Sequence, residues 1–160
     1  MHYAGLLYRA LNPVWARQPL SGEGAARFGG RFNRIGRAAL YTSLAPDTTI
    51  REANRVGVLQ PTVLVALRAD IGPLLDGTDP AALAEHDATP QMLADPAWAE
   101  AMARGRPVPT QALAERLVAA GFAGMLVPSY ARGAPADALN LVLWRWDGAL
   151  TLVDDEGRLR

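Results

Sequence analysis

The chain has no cysteine and no lysine, and only two histidines, His2 and His86, among its 160 residues. Without cysteine there can be no disulfide, thiolate metal site, iron–sulfur cluster or cysteine nucleophile. Without lysine there is no P-loop, no Schiff base and no lysine general base. Two histidines cannot build a three-histidine metal site. A histidine-pair ribonuclease would have to recruit the second residue of the chain and one in an expected loop. Long apolar runs are also missing. The longest, Leu117 to Pro128, is interrupted by glycines and falls short of the roughly 20 residues a bilayer span requires. The N-terminus lacks a basic segment followed by an apolar one. The sequence therefore reads as a soluble, cytoplasmic protein with no membrane partner and no metal.

What is present is a globular composition, 50% hydrophobic and 20% charged, in a length that suits one domain over residues 1–160. Twelve prolines and 15 glycines imply many turns and short elements. The net charge is zero, but it is unevenly spread. Residues 1–55 hold eight arginines against Glu23, Asp47 and Glu52, whereas residues 69–103 hold only acidic charge. Either the two regions lie against each other, or the basic one faces an anionic ligand.

Residues 3–10 read as a strand, and residues 11–27, with Pro13, Pro19, Gly22 and Gly24, as a long loop ending in a turn at 28–33. A short strand is expected over 38–43. Pro46 and Asp47 open a helix expected to reach about Val56, with Gly57 as its stop. The apolar run 61–69 predicts a strand buried on both faces. Residues 79–104 are alanine-rich and acidic, with helical stretches interrupted by Pro90 and Pro96, and 79–106 is the expected specificity-bearing region. An amphipathic helix follows over 110–120, then strands over 124–127, 139–146 and 150–153. Irregular alternation of strands and helices, with no repeat or linker, gives a compact single-domain α+β fold.

Several polar residues invite a chemical reading. Gly22, Gly24, Gly29 and Gly30 surround Arg27 and Arg31, but the cluster fits neither the dinucleotide fingerprint nor the P-loop. Arg31 directly after two glycines suits a pyrophosphate, to which a guanidinium fork donates two parallel hydrogen bonds. The plain alternative is a surface or core-bridging arginine. Tyr41 alone reads as a core residue with its hydroxyl satisfied. Glu52 alone reads as a solvated helix residue paired with Arg55, and Ser129 as a turn residue. Asn140, in a strand apolar on both faces, needs buried partners.

Taken together and in order, these residues resemble the RES-domain family, whose name records an Arg, a Glu and a Ser. The carrying segments are Tyr8-Arg9, Gly30-Arg31-Phe32-Asn33 followed by Gly36, Tyr41-Thr42-Ser43, Glu52, Pro128-Ser129 and Asn140. Phe32 stands where the family usually has Trp or Tyr, and residues 70–125 carry little that matches. The likeness is greatest to the ParT-type branch. The resemblance implies the toxin of a type II toxin–antitoxin module, with an Xre-like helix-turn-helix antitoxin that blocks the active site. It implies a fold similar to ADP-ribosyltransferases and consumption of NAD, without a metal. ADP-ribose would pass to a protein acceptor, the favoured reading, or to water or phosphate. The catalytic roles would fall on Arg31, Tyr41 and Glu52. Arg9 with Arg31 would hold the pyrophosphate, and Tyr41 with Tyr8 would wall the nicotinamide. Ser43, Ser129 and Asn140 would hydrogen-bond the rest.

Three rival readings are weaker. The arginines are scattered over a loop, a turn and strands, and the net charge is zero, which argues against direct nucleic-acid binding. A ribonuclease lacks suitable histidines. A catalytically silent interaction domain would be indifferent to loss of Glu52.

Overall fold

A computed structural model describes residues 1–54 and 60–159. Among these the strands are β1 (Tyr3–Leu11), β2 (Leu40–Ser43), β3 (Val63–Ile71), β4 (Leu74–Asp76), β5 (Gly124–Pro128), β6 (Leu139–Leu143) and β7 (Leu150–Leu152). The helices are α1 (Glu23–Phe28), α2 (Pro46–Ala53), α3 (Pro80–Ala84), α4 (Pro90–Ala94), α5 (Trp98–Ala103) and α6 (Pro109–Ala119). All seven strands join one sheet in the order β4-β5-β6-β2-β1-β3-β7. Every pairing is antiparallel except that of β4 with β5. This is an α+β domain built on a mixed sheet.

The sheet buries both faces, each with its own core. Leu7, Leu11, Leu40, Leu67, Leu141 and Leu143 meet on one side. On the other, Met125, Val127 and Val142 pack with Leu83, Leu93, Leu113 and Leu117 of the helices. The period of two along each strand divides the residues between these cores. Thus Leu40 and Thr42 point one way from β2, and Tyr41 and Ser43 the other.

Several expectations need correction. The segment 11–27 is not all loop, because α1 occupies Glu23–Phe28. Gly22 and Gly24 weaken the helical signal, but Gly36 N–H bonds Ala26 O and fixes the turn from outside. The strand expected at 61–69 runs from Val63 to Ile71 and is not buried on both faces. Val65, Leu67, Ala69 and Ile71 are buried, while Leu64 is 42% exposed. The last long strand stops at Leu143 rather than at Trp146. Trp144 turns away so that its indole N–H can donate to Phe32 O at 2.9 Å. The basic and acidic regions do lie against each other at two places: Arg31 reaches the backbone carbonyls of Leu93 and Asp95, and His2 Nε2 lies 2.6 Å from Asp70 Oδ1. Pro90 begins α4 rather than interrupting a helix, and β4 was not foreseen. Helix α2 starts at Pro46 and ends at Ala53, with Asn54 as its cap. Its expected extension to Val56, the Gly57 stop and the Glu52–Arg55 pair lie outside the described residues.

Arg37 ties the chain after α1 to α6. Its Nε and Nη2 donate to the two carboxylate oxygens of Glu115 at 2.9 and 2.8 Å. This hydrogen bonding holds the Glu115 carboxyl below its ordinary range. A lowered folded-state value stabilises the protein above the unfolded value, and the gain is lost as pH falls through the folded one. Glu115→Gln is therefore expected to cost up to about 1 kcal/mol at neutral pH. In thermal melts, the difference from wild type should close as pH falls below about 4.

Candidate active site

The residues that resemble the RES pattern converge on one side of the sheet. Tyr41 and Ser43 of β2 lie opposite Val142 and Asn140 of β6, so all four face the same way. A cavity of about 530 Å³ opens there. Its walls come from β2, β6, the end of α2, the 31–32 segment and the 130–132 segment.

Glu52 sits in the last turn of α2. A carboxylate is disfavoured at that end of a helix, by about 0.3–1 kcal/mol. Here Oε1 accepts from Ser129 Oγ and from Asn140 Nδ2, both at 2.6 Å. Asn140 is in turn oriented by Ser43, whose hydroxyl donates to Oδ1 at 2.7 Å. Asn140 thus has the partners that its strand position demanded, and Ser129 is more than a turn residue. Three side chains from three parts of the chain fix one carboxylate at the cavity wall.

Arg31 is seated by segments in which the sequence offered little. Its Nη1 donates to Leu93 O at 2.8 Å and Asp95 O at 2.9 Å. Its guanidinium carbon lies 4.7 Å from the Tyr130 ring centre and 5.7 Å from that of Trp98. Such contacts over aromatic faces hold a cation in place while leaving its charge intact. Burial pushes the Tyr130 hydroxyl up to about 12, against the opposing effect of Arg31. Tyr130 is therefore a neutral wall at physiological pH.

The backbone around Arg31 is pinned residue by residue. Gln111 Nε2 donates to Gly30 O at 2.8 Å, Thr110 Oγ1 to Arg31 O, and the Trp144 indole to Phe32 O. The Tyr41 hydroxyl accepts from Phe32 N–H at 3.0 Å and donates to Asn33 Oδ1 at 2.7 Å. Asn33, fully buried, donates its amide to Ala25 O, Arg37 O and Arg34 O. A Cβ on Gly30 would fall 2.6 Å from the Tyr41 hydroxyl and 2.7 Å from Asn33 Oδ1, so glycine is required by close approach.

The remaining candidates stand further out. Tyr8 pairs with Ser43 across β1 and β2 but does not line the cavity. Arg9 lines a second hollow of about 330 Å³, which shares Ala10, Arg31 and Tyr41 with the first. Its Nη1 donates to Pro19 O at 2.6 Å, and burial lowers its guanidinium to about 10, which leaves it charged at neutral pH. Sequence reasoning named Asn33 only as part of the motif and overlooked Thr110, Gln111 and Tyr130; all four hold Arg31 and its loop. It also overlooked Arg51, beside Glu52 on the cavity wall. Among the described residues no cluster of acidic and histidine side chains could hold a metal ion.

A search of curated proteins finds no match. Among solved structures, the fold resembles a chain in the crystal structure of the M. tuberculosis MbcT–MbcA toxin–antitoxin complex. The TM-score is 0.73 at 22% identity, over 96% of this chain and 84% of that one. A scan against protein-family models matches residues 6–160 to the RES domain. That match takes in the Arg31 loop, the Glu52 helix and the β5–β6 wall alike, and the chain belongs to the RES domain family.

Proposed function

We propose that this protein is the toxin of a toxin–antitoxin module and that it consumes NAD. On this reading it cleaves the nicotinamide–ribose bond and transfers ADP-ribose, with a protein as the favoured acceptor. The carrying observation is the fixed carboxylate: Glu52 takes two hydrogen bonds on one oxygen, at the wall of a cavity that also holds Arg31. Family membership and the likeness to a toxin–antitoxin complex support the reading.

The chemistry follows from charge. Loss of nicotinamide develops positive charge at the ribose C1′, as glycoside cleavage does. A carboxylate already oriented at that point stabilises the charge without reorganising in the transition state. Ser43, Asn140 and Ser129 act through Glu52 as positioning residues. Arg31 offers a cation to the diphosphate, and Tyr41 and Tyr130 supply flat, neutral walls for nicotinamide and ribose. The Tyr41 hydroxyl is engaged with Phe32 and Asn33, so its ring is the part it offers. No metal takes part in these roles. The ADP-ribosyltransferase-like relationship and an Xre-type antitoxin that covers the cavity belong to the same proposal. Among the described residues no helix is long and apolar enough to cross a membrane.

The test is nicotinamide release. Protein free of antitoxin is incubated with NAD alone, with orthophosphate and with cell extract, and the products are separated by chromatography. Release of nicotinamide is expected, and labelled ADP-ribose on a protein in the extract identifies transfer. Free ADP-ribose or a phosphorylated product would instead identify water or phosphate as acceptor. No release under any condition would overturn the proposal.

A further inference from the structure

The cations of the site differ in how fully they are used. Arg31 and Arg9 already donate to backbone carbonyls, and Arg34 and Arg37 serve Glu115. Arg51 differs from these four. It lines the same cavity as Glu52, yet among the described residues its Nη1 is buried with no hydrogen-bond partner. The carbonyls it could cap at the end of α2, Ile50 O and Arg51 O, both accept from Asn54 N–H. A buried donor without a partner is unfavourable, and a guanidinium on a cavity wall can recover this by turning toward an anion.

Charge points the same way. Among the described residues, the lining of the cavity includes Arg31, Arg51 and Arg132 against Glu52 as its sole carboxylate. The interior therefore favours a ligand that carries more than one negative charge, and a planar fork matches the oxygens of a phosphoryl group. We infer that Arg51 is the principal phosphoryl-binding residue of this cavity, placed to take a phosphate oxygen beside the carboxylate of Glu52. The phosphoryl group comes either from the diphosphate of the dinucleotide or from free orthophosphate. The first source rests on the NAD reading given above; the anion site itself does not.

Two measurements on the full chain test this, with Arg51→Gln and Arg51→Lys. The first is the thermal midpoint with and without inorganic pyrophosphate or orthophosphate. Wild type should be stabilised by either anion, Arg51→Gln should lose the shift, and Arg51→Lys should keep part of it. Without anion, Arg51→Gln should melt no lower than wild type, because the Nη1 it removes is buried with no hydrogen-bond partner among the described residues. A lower midpoint would show a structural role and overturn the inference.

The second measurement is steady-state kinetics of nicotinamide release. A rise in the KM for NAD of about tenfold to a hundredfold, with a smaller change in kcat, identifies the diphosphate as the source. An unchanged KM for NAD with lost response to added orthophosphate identifies the free anion. If wild type releases nicotinamide while Arg51→Gln matches it in KM, phosphate response and anion-induced shift, the inference fails and the NAD reading stands. If wild type releases none but shows an anion shift that Arg51→Gln abolishes, the NAD reading fails and the anion site stands.

Discussion

Glu52→Gln is expected to lower nicotinamide release by about a thousandfold while leaving the fold intact. The substitution keeps the shape of the side chain and an oxygen that can still accept from Ser129 and Asn140. What it removes is the negative charge, which favours the transition state over the ground state and so bears on kcat more than on KM. Thermal midpoints within a degree or two of wild type would confirm that structure is retained. Release within about tenfold of wild type would place the catalytic charge elsewhere and take the proposed mechanism with it.

The second large effect is structural. Asn33→Asp is expected to destabilise the protein by about 3–5 kcal/mol, read by urea or thermal unfolding. The side chain is fully buried, and its amide donates to the carbonyls of Ala25 at 2.8 Å, Arg37 at 3.0 Å and Arg34 at 3.3 Å. A carboxylate of the same size would face those carbonyls with a charge and no amide protons. A typical domain is stable by only about 5–15 kcal/mol, so much of the margin would go. Activity should fall as well, because the same residue holds the Tyr41 hydroxyl that fixes Phe32. A loss below about 1 kcal/mol would mean that the loop does not depend on this network.

The parts of the fold that were legible in sequence are those in which local pattern and tertiary fate coincide. Strand β1, the start of α2 at Pro46 and helix α6 are of this kind. Helix α1 was hidden because its glycines argue against it while its support comes from a distant turn. The burial of β3 was misread because Leu64, an apolar residue facing outward, looks the same in sequence as one facing inward. In the candidate site, Glu52, Ser43, Ser129 and Asn140 were in the resembling pattern and do meet. The seat of Arg31 was not legible, since Leu93 and Asp95 contribute carbonyls, which any residue possesses. Arg51 gave no signal among so many arginines, and only its unpartnered nitrogen distinguishes it.

The position of β6 has a consequence for how the protein is made. Glu52 and its donors lie 77 and 88 residues apart in sequence, and β6 is the strand that joins β5 to β2 in the sheet. A ribosome that has released the chain through Glu52 has produced a carboxylate with neither of these donors. Ser129 and Asn140 arrive late in synthesis, and β6 then joins β4 and β5 to the rest of the sheet. A chain that ends before Ser129 therefore lacks both groups that fix the Glu52 carboxylate, and on the proposed mechanism it is expected to release no nicotinamide.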